Sequence, residues 1–302
     1  SYMQRGIVFE GVARIMGELK YQFDIVDDSM ELDPYKLLIL PDVMTLGDAA
    51  KTKISEYLNR GGKVISTGIS GLNVGLSDFA LPEWNFTYDG EGKYSVSYFK
   101  PLKPVDKGLP DMLLSMYENG ISLFPKEGNE ILARLWRPYF NKHWDGKHSF
   151  DTYMPYDSET DEAVVLREGN VLHVSFPLFT AYRLTAYPVY KTLIKNCIEL
   201  LYQDKLIEIE VPSFVRVGLT KKDNYRIMHI LSYCPERKGR NVAMIEEDIK
   251  LYNTKVRIIA SNIKKIYSIP NMDNVEFSVA GGYTEFIIPE IDGHGMFVME
   301  VE

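Results

Sequence analysis

Cysteine is scarce in this sequence. Only Cys197 and Cys234 occur in 302 residues, with no CxxC or Cys/His spacing, so neither a disulfide framework nor a structural zinc site is encoded. No apolar run approaches the roughly 20 residues that a membrane helix needs, and Ser1-Tyr2-Met3-Gln4-Arg5 lacks the apolar core of a signal peptide. The segment therefore reads as soluble, and neither cytoplasm nor periplasm is favoured. Positive charge is also in deficit. Lys and Arg number 34 against 42 Asp and Glu, a net charge of −8, which opposes sequence-independent nucleic-acid binding. GxGxxG, Walker and HExxH patterns are all missing, so no cofactor and no catalytic metal is expected.

What is present describes a folded protein, with 45% apolar and 25% charged residues. Its length favours two ordinary domains. Val8, Val12, Ile15 and Leu19 share one helical face, and Phe23-Asp24-Ile25-Val26 then reads as a strand. Tyr35-Lys36-Leu37-Leu38-Ile39-Leu40, stopped by Pro41, has the nearly continuous apolar character of a buried parallel strand. Asp48 suits an N-cap, Ala50, Ile54, Tyr57 and Leu58 form a helix face, and Gly61-Gly62 ends that helix before the strand Lys63-Val64-Ile65-Ser66-Thr67.

From about 80 to 160 the pattern is irregular and reads as inserted loops with edge strands, Tyr94 to Tyr98 among them. A hairpin is predicted from Ala163-Val164-Val165-Leu166 and Val171 to Phe176 across Glu168-Gly169-Asn170, followed by a helix opened by Pro188. After about residue 205 the apolar period changes to 2. About eight short strands from Leu206 to Val301, separated by turn formers such as Gly281-Gly282 and Asp292-Gly293, predict a β-sandwich. The fold class expected is α/β, a flavodoxin-like or amidotransferase-like parallel sheet with flanking helices over 1–204, then a small all-β sandwich over 205–302.

A doubly wound sheet places its chemistry where strands end, which directs attention beyond Leu40 and Thr67. Gly68-Ile69-Ser70-Gly71-Leu72 follows a buried strand, where a nucleophile elbow would sit. It has no Cys, and Leu72 replaces the second Gly of GxSxG. Ser70 is the one candidate nucleophile, and the plainer reading makes it a turn residue. None of His143, His148, His173, His229 and His294 can be linked to it as a base; His173 alternates with apolar residues as a buried structural histidine would. Cys197 lies on an apolar helix face and Cys234 at a strand end, without an activating neighbour. The acidic runs Asp27-Asp28, Glu159 to Glu162 and Glu246-Glu247-Asp248 read as solvated loops rather than glycosidase carboxylate pairs. Trp136, Arg137, Tyr139, His143 and Trp144 crowd a segment expected to be loop. Such stacking faces and donors suit a sugar pocket; the plainer reading is a loop plugged onto the core.

The segments Tyr35-Lys36-Leu37-Leu38-Ile39-Leu40-Pro41-Asp42 and Ile54-Ser55-Glu56-Tyr57-Leu58-Asn59-Arg60-Gly61-Gly62-Lys63-Val64-Ile65 resemble the trimerisation domain of family 42 β-galactosidases. Pro177 to Tyr182, Pro212 to Val217 and Tyr225 to Tyr233 resemble later segments of related hydrolases, α-L-fucosidase-like members included. The resemblance implies an amidotransferase-like domain that trimerises, followed by a β-sandwich, in an enzyme whose catalytic (β/α)₈ barrel lies outside these residues. It also implies a first strand ahead of the first helix. No catalytic residue carries over, the partners implied are further copies of the chain and carbohydrate, and a stand-alone amidotransferase-like or ThuA-like hydrolase and a carbohydrate-binding module are the rival readings.

Overall fold

The computed structural model describes residues 2–141, 154–239 and 242–302. They fall into two compact units. One comprises 1–13 with 26–203, the other 14–25 with 204–302.

The first unit is built on α1 (Tyr2–Leu19, shared with the second), β1 (Leu37–Leu40), α2 (Asp48–Asn59), β2 (Lys63–Thr67), β3 (Thr87–Glu91), β4 (Ser97–Pro101), β5 (Leu114–Met116), β6 (Ile121–Phe124), β7 (Glu130–Pro138), β8 (Tyr156–Glu168), β9 (Val171–Val174), α3 (Leu178–Thr185) and α4 (Pro188–Leu201). Its main sheet runs β1-β2-β9-β8-β7-β4-β5. β1, β2 and β9 are parallel; β8, β7, β4 and β5 extend the sheet antiparallel. The sheet is thus mixed, with a parallel portion three strands wide. The irregular 80–160 region, expected to be loops with edge strands, supplies β4, β5, β7 and part of β8 to this sheet. Interrupted register explains why its pattern is faint: β7 and β8 pair with four register shifts, which scramble the alternation of apolar residues.

Every residue of β9 and all but the first of β2 are buried, as the apolar runs required. Leu38, Leu40, Ile54, Tyr57, Leu58, Val64, Trp84 and Leu166 belong to one core beside them. Asp48 opens α2 from within its first turn, and Gly47 holds the cap position. Gly61 has φ +85°, the left-handed stop expected there. The hairpin between β8 and β9 turns at Gly169 (φ +52°), and Pro188 begins α4.

The second unit contains β10 (Ile207–Ile209), β11 (Arg216–Lys222), β12 (Tyr225–Leu231), β13 (Glu236–Arg237), β14 (Ala243–Met244), β15 (Leu251–Ile259), β16 (Ile263–Ile269), β17 (Phe277–Ala280), β18 (Tyr283–Ile291) and β19 (His294–Val301). Two antiparallel four-stranded sheets, β10-β15-β18-β17 and β11-β12-β19-β16, share one core that includes Ile258, Phe286 and Ile288 from the first and Met228, Ile230 and Met299 from the second. Phe23 to Val26 is not a strand. Gln22 meets the edge of β11 instead, its amide donating to the Val217 carbonyl at 3.0 Å and accepting from the Leu219 amide at 2.8 Å. A side chain there does the work of a paired backbone. Lys20 is buried just before it, its ammonium donating to the carbonyls of Pro212, Ser213 and Val215.

Candidate functional site

The carboxyl ends of β1 and β2 converge on Asp42, which the sequence reading passed over. Asp42 is buried with φ +50°. The Thr67 hydroxyl donates to Oδ1 at 2.6 Å and accepts from the Asp42 amide at 2.8 Å. The amides of Phe179 (3.3 Å) and Thr180 (2.6 Å) and the Thr180 hydroxyl (2.7 Å) donate to the same carboxylate. Asp42 thereby caps α3, whose own preceding residue, Pro177, supplies no side-chain cap. Burial pushes its carboxyl above the usual Asp range, and the donors, which favour the charged form, restrain that rise. Burial likewise raises Glu118, with the Asp42 charge adding to it.

The turn after β2 is an elbow without a nucleophile. Gly68 has φ +59°, and a Cβ there would lie 2.7 Å from the Asp42 carbonyl oxygen; at Gly71 it would lie 2.8 Å from the Trp84 indole nitrogen. Ser70 is fully buried, and its Oγ accepts from the Met44 amide at 3.0 Å. It holds the turn, and among the described residues no histidine hydrogen-bonds to it. His173 pairs with another serine. Ser66 Oγ accepts the Trp84 indole N–H at 2.7 Å and lies 2.7 Å from His173 Nδ1, leaving Nε2 buried without a hydrogen bond. Burial lowers the His173 pKa to about 3, and the Gly68 backbone opposes this only in part. A base for catalysis near neutrality needs both access and a pKa near the working pH, and this ring has neither. Cys197 is equally inert, its thiol pushed up by burial to about 12.

Trp136 and Arg137 lie in β7 rather than a loop, and Tyr139 follows just beyond its end. Trp136 packs edge-on against Tyr156 (centroids 6.1 Å apart), which meets Tyr98 in the same way at 5.9 Å. The Trp136 indole nitrogen is buried without a partner, Arg137 pairs with Asp157 at 2.8 Å, and Tyr139 is exposed. His143 and Trp144 lie outside the described residues. The acidic run at Glu159 to Glu162 belongs to β8, not to a loop, and Glu162 is buried. Nothing in residue type marked Asp42 beforehand; the signal available was its position, directly after an apolar strand stopped by Pro41.

Residues 14–75 match the family model described as the Beta-galactosidase trimerisation domain. No curated protein sequence matches. Among solved structures, alpha-L-fucosidase isoenzyme 2 from Paenibacillus thiaminolyticus superposes with a TM-score of 0.89 at 28% identity, covering 97% of this chain and 44% of that one. A beta-galactosidase from Bacillus circulans sp. alkalophilus gives 0.56 at 14%, covering 97% and 38%. A putative ThuA-like protein from Bacteroides uniformis gives 0.50 at 14%, covering 66% and 86%. The chain spans less than half the length of the first two. It is therefore similar, over nearly all of its length, to part of a fucosidase, it carries the match to the β-galactosidase trimerisation domain at 14–75, and it shares its α/β fold with a ThuA-like protein.

Proposed function

We propose that this chain is a noncatalytic assembly portion of a carbohydrate-active glycoside hydrolase of β-galactosidase or α-L-fucosidase type, with the catalytic carboxylates supplied outside these 302 residues. The observation that carries this reading is the elbow after β2: its serine is fully buried and bound to a backbone amide, and Asp42 is tied into a helix cap. Where this fold class holds its chemistry, the chain has scaffolding. A stand-alone amidotransferase-like or ThuA-like hydrolase would need an accessible nucleophile at this place.

In this reading residues 1–204 form the assembling domain and 205–302 a β-sandwich. The self-association surface includes the turns beyond β1 and β2, where Met44, Val74 and Leu76 are exposed, Val74 by 70%. Met44 and Gly71 are joined through their backbones at 3.1 Å, so these apolar side chains stand on neighbouring turns at the end of the matched span. Exposed apolar groups gathered in this way favour association. Residues 136 to 144 help wall the sugar pocket of the assembled enzyme.

Light scattering on the full-length enzyme tests the assembly reading. A trimer is expected, and Val74→Glu with Met44→Glu should shift it to monomer with the fold retained; a monomeric wild type would refute it.

A further inference from the structure

His229 in β12 and His294 in β19 meet at the surface of the second unit, His229 Nδ1 lying 3.1 Å from His294 Nε2. Their ring planes differ by 2° and the ring centres are 5.3 Å apart. The centres are thus farther apart than the nitrogens by nearly two ring radii. That excludes a face-to-face stack: the rings lie almost in one plane, edge to edge, with the two nitrogens close to the line between the centres. One nitrogen carries the proton of this bond and the other offers its lone pair.

The strand register adds a sulfur. β12 and β19 pair without interruption, Met296 directly opposite His229 and Leu231 opposite His294, so His229, His294 and Met296 project from one face of the sheet. That is the outer face, since the alternating residues Met228, Ile230, Phe297 and Met299 belong to the core of the unit. On its other side His229 faces Gly218 of β11, where a Cβ would meet nothing within 4 Å. The pair is therefore approachable, with one half-buried ring and one exposed.

Two imidazoles and a thioether are ligands for a soft or borderline transition ion. Metal–nitrogen bonds of about 2.0 Å reach a shared ion from nitrogens up to about 4 Å apart, so the pair needs only to turn its rings to hold one. The ring that now donates shifts its proton to its outer nitrogen, Nε2 of His229 or Nδ1 of His294. Both inner lone pairs then face the ion, with no net loss of a proton. Calcium and magnesium require oxygen ligands, and zinc sites use three or four His, Cys or carboxylate ligands, whereas no such group of three occurs among the described residues. Copper in its reduced state takes few ligands and favours thioether sulfur.

We propose that His229, His294 and Met296 form a copper(I) site on the outer face of the β11-β12-β19-β16 sheet. The site lies within the second unit and is independent of the assembly reading.

Anaerobic titration of the 302-residue chain with Cu(I) against bicinchoninate tests the proposal, in a Cys234→Ser background so that this partly exposed thiol does not compete. One ion per chain should bind, and the ring nitrogen resonances of both histidines should move in long-range ¹⁵N NMR. His229→Ala and His294→Ala should each weaken binding at least about tenfold, since even the outer partners of a metal site are worth that much. Met296→Leu should weaken copper binding several-fold and leave the weaker binding of zinc unchanged. His294 is exposed, so its variant keeps the test open should His229→Ala not fold. Absence of stoichiometric binding, or binding that survives in the histidine variants, overturns the proposal and leaves a hydrogen-bonded pair. Zinc bound as tightly as copper, with Met296→Leu without effect, would overturn the copper assignment in favour of a plain histidine chelate.

Discussion

Asp42 and Thr180 are joined twice, the Thr180 amide and hydroxyl both donating to Oδ2, at 2.6 and 2.7 Å, across 138 positions of sequence. This contact fastens the end of β1 to the start of α3. A carboxylate there meets the positive end of the helix and satisfies amides that have no partner within it.

Asp42→Ala should therefore cost about 3 kcal/mol, because several buried donors lose their acceptor together. Asp42→Asn should cost about 1 kcal/mol, since Asn keeps an acceptor and tolerates the positive φ. Urea denaturation of both variants measures the difference; equal losses would show that the charge, not the capping geometry, is what matters.

His173 makes the fold acid-sensitive. Its pKa is depressed to about 3 in the folded chain against an ordinary 6.5, so the unfolded state binds the extra proton between those values. The stability this contributes is complete above pH 6.5 and is lost as pH falls toward 3, at about 1.4 kcal/mol per pH unit. His173→Asn should flatten that acid limb while costing about 1 kcal/mol at neutral pH through the Ser66 contact. An unaltered slope in pH-dependent denaturation would contradict the assignment.

For Ser70→Ala the expected loss is about 1 kcal/mol, the worth of the bond from the Met44 amide. In the full-length enzyme kcat/KM should not change. A variant that melts normally yet loses turnover would restore Ser70 as a nucleophile.

Trp136 separates the two readings of its segment. If the segment walls a sugar pocket, Trp136→Ala should lower kcat/KM of the full-length enzyme by about 1 kcal/mol equivalent with little change in melting temperature. The opposite result, normal kinetics with a lower melting temperature, would make it a plug held by Tyr156.

Composition and period alone determined the α/β grammar of the first 70 residues, the hairpin at Gly169, the helix begun by Pro188 and the change to an all-β pattern after 205. These are local signals: an apolar run, a left-handed glycine, a proline at a helix start and an alternation of two each act within a few residues. The absence of an elbow cysteine was equally plain. Tertiary structure alone decided the rest. Register shifts between β7 and β8 hid the antiparallel half of the main sheet, and Gln22 replaced a strand that Phe23 to Val26 had suggested. Asp42, Ser66 and His173 are ordinary residues in sequence. Their roles come from partners such as Thr180 and Trp84, and burial and hydrogen bonding between distant segments exist only once the chain is folded.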